Sequence, residues 1–318
     1  MSSGSVAKDW FLCTVASFAL FVLGSIVPAM MTLLLMLIYP FPLIFLTFAR
    51  GARVGAFSCV TAAAAVFIAT YSSSPAAMVY LLAWGLPGVT LGAAARRAKG
   101  AGLLTAGVIC SLICKLAAMV LMWRITGVNI LTPDSAEMEG AVMSAWAPMF
   151  EALPEGDLAK LRESVSATVN YIVAIVPSVV ILFTSVEVLL SYGLASSLHA
   201  RRGGEHFFRL PPFEVWSFPR NILVALIVGF ICEKIGDRNE GIYVLKQAGA
   251  NLGVLTWTLF AVQGLSVAYF FMGRSGFPKI VRVVIITLAP FVPIMGGVLS
   301  ILGIADIGID LRKRIGRK

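Results

Sequence analysis

The sequence predicts an all-α fold, a polytopic transmembrane helix bundle of about eight to nine membrane segments. Apolar residues make up 59% of the 318 and Asp, Glu, Lys and Arg only 13%, with a mean hydropathy of +0.91. No soluble domain hides that much apolar surface, whereas apolar runs of about 20 residues match the hydrocarbon core of a bilayer. The runs are continuous rather than alternating. In lipid every backbone N–H and C=O must be satisfied within its own segment, so continuous runs select helices over a barrel.

Spans are expected near 10–27, 29–49, 54–71, 76–95, 101–126, 167–198, 219–236, 247–272 and 279–304. The first could pass for a secretory signal, because Lys8 precedes the apolar stretch that begins at Trp10. The apolar run continues through Ile38 with no small-residue cleavage site before a polar start, so it reads as a retained span. In the fourth, the run Trp84-Gly85-Leu86-Pro87-Gly88 predicts a kink. Pro290, Pro293, Gly296 and Gly297 cluster in the middle of the ninth, which predicts a segment broken into two half-helices. The pairs Gly51/Gly55, Gly88/Gly92 and Gly249/Gly253 allow helix backbones to approach closely, with intramolecular packing as the default use.

Charge sets the expected topology. Arg50 and Arg53, then Arg96, Arg97 and Lys99, then Arg201, Arg202, Arg209 and Arg220 mark three basic connections separated by two spans each. By the positive-inside rule these face the cytoplasm, which places the N-terminus there too. Connection 127–166 carries Asp134, Glu137, Glu139, Glu151, Glu155, Asp157 and Glu163 against Lys160 and Arg162, and is expected outside as short amphipathic helices. The organisation is thus a six-span region 1–200, a basic connection 201–218, membrane segments 219–305 and a basic tail 306–318. The tail, with Arg312, Lys313, Arg314, Arg317 and Lys318, stays inside if one of the last segments is re-entrant, either the broken ninth or the one after Pro219.

Lys115 and Glu187 are ionised side chains deep inside apolar runs. A charge at the bilayer centre costs about 2.5–3.5 kcal/mol on insertion scales, so it faces a partner, a cavity or a pathway. At 1.5 Å per residue, Lys115 lies roughly 21 Å and Glu187 roughly 16 Å from the cytoplasmic ends of their helices. They differ by about one helical turn, which a lysine stem spans. Two readings stand: a structural ion pair, or a polar cavity that contacts a small ligand or a proton. Gln263 falls in the same layer, while Asn251 and Asn170 lie near outer helix ends. The ligand-binding candidates are therefore Lys115, Glu187, Gln263 and, more remotely, Asn251.

Catalytic signatures are missing from the sequence: no HExxH, Walker A, CxxC or GxSxG. His199 and His206 sit in a basic connection and read as surface residues. Cys13, Cys59, Cys110, Cys114 and Cys232 fall in or beside apolar runs and read as buried hydrophobes. Asp306 and Asp310, one turn apart, could hold Mg²⁺, but a lone pair reads better as end-of-helix carboxylates near Arg312 and Lys313. The expectation is a protein without cofactor or metal, for which an intramembrane enzyme is the least supported reading. A net charge of +9 reads as topology determination and attraction to anionic lipid rather than nucleic-acid binding.

Several motifs occur in a telling order: Pro40-Phe41-Pro42, Arg50-Gly51-Ala52-Arg53-Val54-Gly55, Leu210-Pro211-Pro212-Phe213 with Trp216 and Pro219, Asn251 with Gln263-Gly264-Leu265, and Leu302-Gly303 with Asp306, Asp310, Leu311, Arg312 and Lys313. Together they resemble the YybS-like bacterial membrane proteins, a domain of unknown function, over nearly the whole chain. That resemblance implies a multi-pass protein of the bacterial plasma membrane. The N-terminal half is also similar in layout to the substrate-binding S components of energy-coupling-factor transporters, which implies a small-molecule ligand. The long acidic connection and the extra C-terminal spans depart from that layout. Pro211, Pro212, Phe213 and Trp216 form a stiff, aromatic strip suited to the headgroup layer or to docking a protein partner. Two functions from different classes follow: a binding or transport-related protein, and a non-transporting scaffold of an envelope complex. Both share the lipid bilayer as partner.

Overall fold

A computed structural model describes residues 3–71, 73–97, 101–147, 155–203, 211–238, 242–289 and 292–315. Lys99, Glu151, His206, Arg209, Leu210, Pro290, Arg317 and Lys318 of the readings above lie outside the described residues. Among those described, all regular structure is helical. The helices are α1 (Ser3–Ile26), α2 (Ala29–Met36), α3 (Phe41–Arg50), α4 (Ala52–Ala69), α5 (Ser74–Tyr80), a π-helical turn Leu81–Gly85, α6 (Leu86–Ala95), α7 (Ala101–Thr126), α8 (Ser135–Ala145), α9 (Glu155–Arg201), α10 (Asn221–Arg238), α11 (Tyr243–Arg274), α12 (Lys279–Leu288), α13 (Pro293–Ile309) and α14 (Leu311–Ile315).

Seven helical stretches are long and apolar enough to cross a membrane: Ser5–Ile26, Ala29–Arg50, Ala52–Ala69, Ser74–Ala95, Gly102–Thr126, Asp157–Arg201 and Tyr243–Arg274. The chain is an integral membrane protein whose solvent is lipid. Phe11, Ile26, Ile68, Ile113, Ile227, Ile280 and Ile294 point outward, an arrangement unfavourable in water and matched to acyl chains. Of the remaining segments, α10 carries Glu233, Lys234, Asp237 and Arg238 near its end, and α12 and α13 are short, at 10 and 17 residues.

The chain divides into two compact units, 1–138 with 179–210, and 139–178 with 211–318. In the first, α3 lies against α6, where Gly88 meets the Pro40 carbonyl and Gly92 the Ile44 carbonyl. The spaced glycines therefore act within the chain here. Ile44, Phe45, Leu46, Leu91, Val188 and Tyr192 form one buried cluster, and Tyr39, Ala62, Val66, Tyr80 and Trp84 a second. Arg50 and Arg202 both pair with Asp9, at 2.5 and 3.2 Å, tying α1 to α3 and to the end of α9.

The expected kink in the fourth span is the π-helical turn before Pro87. Proline has no N–H and its ring crowds the carbonyl four residues back, so the chain widens by one residue per turn just ahead of it. The second span is likewise interrupted between Met36 and Phe41, around Pro40. The sixth helix starts at Glu155, a dozen residues earlier than hydropathy suggests, because its first turns are polar.

In the second unit, α10 and α11 are antiparallel, with Gly229 against Gly249 and Gly253, and Gly236 against Lys246. Contacts of α11 with α13 and with the start of α14 advance in the same direction: Ser300 Oγ to the Trp257 carbonyl at 3.1 Å, Gln263 Nε2 to Asp306 Oδ2 at 2.6 Å, and Arg312 Nη1 to Ser266 Oγ at 3.3 Å. The two helices are parallel. The ninth segment is therefore broken, as its prolines predict. Helix α12 brings the chain back, and α13 ends on the same side as α11.

Candidate functional site

Lys115 sits in mid-α7 and Glu187 in the second half of α9, and both are buried, the carboxylate completely. The ammonium has three donors and three acceptors: Glu187 Oε2, Ser111 Oγ at 2.8 Å and the Ala83 carbonyl at 3.1 Å. Ser111, one turn before Lys115 on the same helix face, also reaches Glu187 Oε2 at 3.5 Å. The Ala83 carbonyl is available because Pro87, four residues on, cannot donate to it. Lysine thus neutralises a buried carboxylate and satisfies a backbone acceptor in one position. Among the described residues Glu187 Oε1 meets no partner within hydrogen-bond geometry, and the Trp84 indole N–H lies beside the carboxylate.

A cavity of about 390 Å³ lies next to this pair, toward the Thr126 end of α7. Met36, Val79, Met119, Met122, Val180 and Phe183 form much of its wall, which is almost wholly carbon. Lys115 and Thr184 meet it at one end, and Thr184 Oγ1 is buried with no partner among the described residues. Three methionines give the wall unbranched, adaptable side chains.

Asn251 and Gln263 belong to the second unit and do different work. The Asn251 carboxamide accepts from the Ser178 N–H at 2.8 Å and donates to the Ala174 carbonyl at 2.7 Å. These are the two groups that an α-helix pairs with each other. They lie beside Pro177, the proline inside α9, so the side chain splices a helix opened by proline. Gln263 accepts from the Phe218 N–H at 3.1 Å, just before Pro219, and donates to Asp306 Oδ2. Its hydrogen bonds go to the strap and to α13 rather than to Lys115 or Glu187, the layer in which depth alone would place it.

The strap is the segment Pro211–Arg220. Arg312 binds Asp306 Oδ2 at 2.8 Å, the Glu214 carbonyl at 2.8 Å and the Trp216 carbonyl at 2.9 Å. Ser266 Oγ donates to the Phe213 carbonyl at 2.7 Å, and the Trp216 indole donates to the Pro211 carbonyl at 2.9 Å. Phe213 stacks edge-on against Trp216 and Tyr269. Pro211, Pro212 and Val215 are exposed. Asp306 is thus engaged by Arg312 and Gln263. Asp310 caps α13 in a left-handed conformation, φ 52°, facing Arg220 and Lys313 at 3.5 Å each. No cluster of three or more metal-ligating side chains gathers among the described residues.

Sequence reasoning named the charged residues and set Arg312 near Asp306, but missed Ala83 and Ser111 as partners of Lys115. One signal was present: Pro87 lies four residues after Ala83, and Pro177 three after Ala174.

Comparison with known proteins follows the same lines. Residues 15–307 match a family described as a predicted membrane protein, DUF2232. The chain is 21% identical over 290 residues, 91% of each chain, to the uncharacterized protein YybS of Bacillus subtilis (strain 168). No solved structure matches. The S-component likeness is not carried by either match.

Proposed function

The chain belongs to this DUF2232 family of predicted membrane proteins, and from that premise we propose that it is a membrane-embedded binding protein for an apolar small molecule. The observation that supports this is the carbon-walled cavity of about 390 Å³ beside Lys115. A void of that size in a packed helix bundle forfeits dispersion contacts that an apolar guest would restore. In this reading the Lys115–Glu187 pair holds α7, α9 and the π-turn in register beneath the cavity, and transport would require a further moving part. The Lys/Arg distribution favours the inner membrane of a bacterium with the N-terminus in the cytoplasm, which puts the cavity in the outer half of the bilayer.

Native mass spectrometry of the purified protein tests the reading. An apolar adduct should accompany the wild type and be lost from Ala118→Phe, which fills the cavity from α7. The same occupancy in both proteins would defeat the proposal.

A second reading, a partner-binding membrane scaffold, draws on the strap. Its inner groups are tied down, whereas Pro211, Pro212 and Val215 face outward on a preorganised strip. A photo-crosslinker at Val215 that captures one defined membrane or cytoplasmic protein would favour this reading. Crosslinks to lipid alone would oppose it.

A further inference from the structure

A second, chemically different cavity lies wholly within the other unit. Its volume is about 380 Å³, and Asn170, Tyr171, Glu233, Asp237, Tyr243, Lys246 and Gln247 line it with small residues of α9 and α11 between them. Neither the family match nor the apolar site accounts for it.

The charges inside it are unequally satisfied. Asp237 accepts from Lys246 at 3.0 Å and from Lys234 at 3.4 Å. These two ammoniums, Lys246 foremost, hold its carboxyl below the ordinary carboxylate range. Lys246 is thereby engaged chiefly by Asp237, with Glu233 a weaker, longer-range influence. Glu233, one turn earlier on α10, is half-buried and makes no ion pair or hydrogen bond among the described residues. Its backbone is pinned: at Gly249 the two helices cross so closely that a Cβ there would come within 2.4 Å of the Glu233 nitrogen. The backbone that carries this carboxylate is therefore fixed at the cavity wall.

The remaining lining suits a cation. Tyr171 and Tyr243, both lining the cavity, are 50% and 57% exposed. Tyrosine faces attract ammonium groups, and more so where water is partly excluded. Gln247 donates to the Ala174 carbonyl at 3.4 Å, which leaves its side-chain oxygen as an acceptor. A half-buried carboxylate with no cation in contact among the described residues, only the longer-range attraction of Lys246, keeps part of its desolvation cost, which an incoming cation would remove. The geometry points to a binding site for a small organic cation, an amine or quaternary ammonium, with Glu233 as its counter-ion and Tyr171 and Tyr243 as aromatic walls. A bare metal ion fits less well, because one carboxylate and two phenol rings do not supply the six or more oxygens that hard cations take.

The test uses the full chain in nanodiscs and tetramethylammonium chloride as probe, with sodium chloride at equal ionic strength as control. Tetramethylammonium should raise the unfolding temperature beyond the sodium control, and Glu233→Gln should weaken its binding about ten-fold or more. Glu233→Gln without probe should be close to wild type in stability, since no ion pair or hydrogen bond among the described residues is lost. No shift beyond sodium, or an undiminished shift in Glu233→Gln, would overturn the assignment. A second measurement needs no variant: carbodiimide modification of Glu233, read by peptide mass spectrometry, should be at least halved by saturating probe. Unchanged modification would equally sink the idea.

Discussion

Lys115 donates to the Ala83 carbonyl at 3.1 Å, the acceptor that Pro87, four residues further on, has no N–H to serve. Asn251 bridges the Ser178 N–H and the Ala174 carbonyl on either side of Pro177, and Gln263 holds the Phe218 N–H just ahead of Pro219. Three of the four polar residues that stand out within the apolar runs thus satisfy backbone groups beside prolines. In lipid no water is at hand for such groups, and proline is tolerated only where a neighbouring helix supplies the missing partner. The fourth, Glu187, is the counter-charge that makes a lysine affordable at that depth.

Single substitutions Lys115→Met and Glu187→Leu should each destabilise strongly, by about 3–5 kcal/mol, because each leaves a buried charge alone. The double variant should recover most of that, short by about 1 kcal/mol for the unserved Ala83 carbonyl. Thermal unfolding in detergent micelles reads all three. A double variant no better than the singles would show that the pair is not a self-contained structural unit.

Asn251→Leu should cost about 1–2 kcal/mol, the sum of two interhelical hydrogen bonds in a membrane. The cost should shrink in a Pro177→Ala background, where the helix regains an N–H and the Ser178–Ala174 bond can close. A double-mutant cycle measures the coupling. Strict additivity would rule out the splice.

Gly264→Ala should destabilise by about 1–3 kcal/mol, because a Cβ there would sit 1.9 Å from the Leu299 carbonyl oxygen. Gly253→Ala, on the same helix but with nothing within 4 Å of the added carbon, should be neutral or stabilising through helix propensity. Unfolding midpoints of the two variants give the contrast directly.

Arg312→Lys should release the strap. A lysine cannot bridge the Asp306 carboxylate and the Glu214 and Trp216 carbonyls at once, since it lacks the planar fork. Amide hydrogen exchange across 211–220 should quicken by about ten-fold or more, as expected for about 1.5 kcal/mol of lost charge-assisted bonding. Unchanged exchange would mean that Ser266 and Gln263 hold the segment unaided.

The candidate sites were unevenly legible. Lys115 and Glu187 announce themselves because charge is rare in apolar runs, and a depth count brings them within one turn of each other. The same count puts Gln263 in that layer, yet its bonds run to Phe218 and Asp306. Depth is one coordinate of three, and it says nothing about which helix is adjacent. Asp306 and Arg312 could be read in sequence only as end-of-helix charges. Their role in clasping the strap depends on α13 running parallel to α11, a consequence of the return through α12.

By itself, the sequence determined the solvent of this protein, its all-helical architecture, the kink before Pro87, the break in the ninth segment and the residues whose charge demands a partner. These follow from composition, proline positions and the cost of polarity in lipid, all of which are local. Only the tertiary structure decided which carbonyl each polar side chain serves, that a carbon-walled cavity lies beside Lys115, and that Glu233 lines one cavity with two tyrosines. Those outcomes depend on helix adjacency and crossing distance, which small residues such as Gly249 and Gly264 set through close contact between segments far apart in the chain.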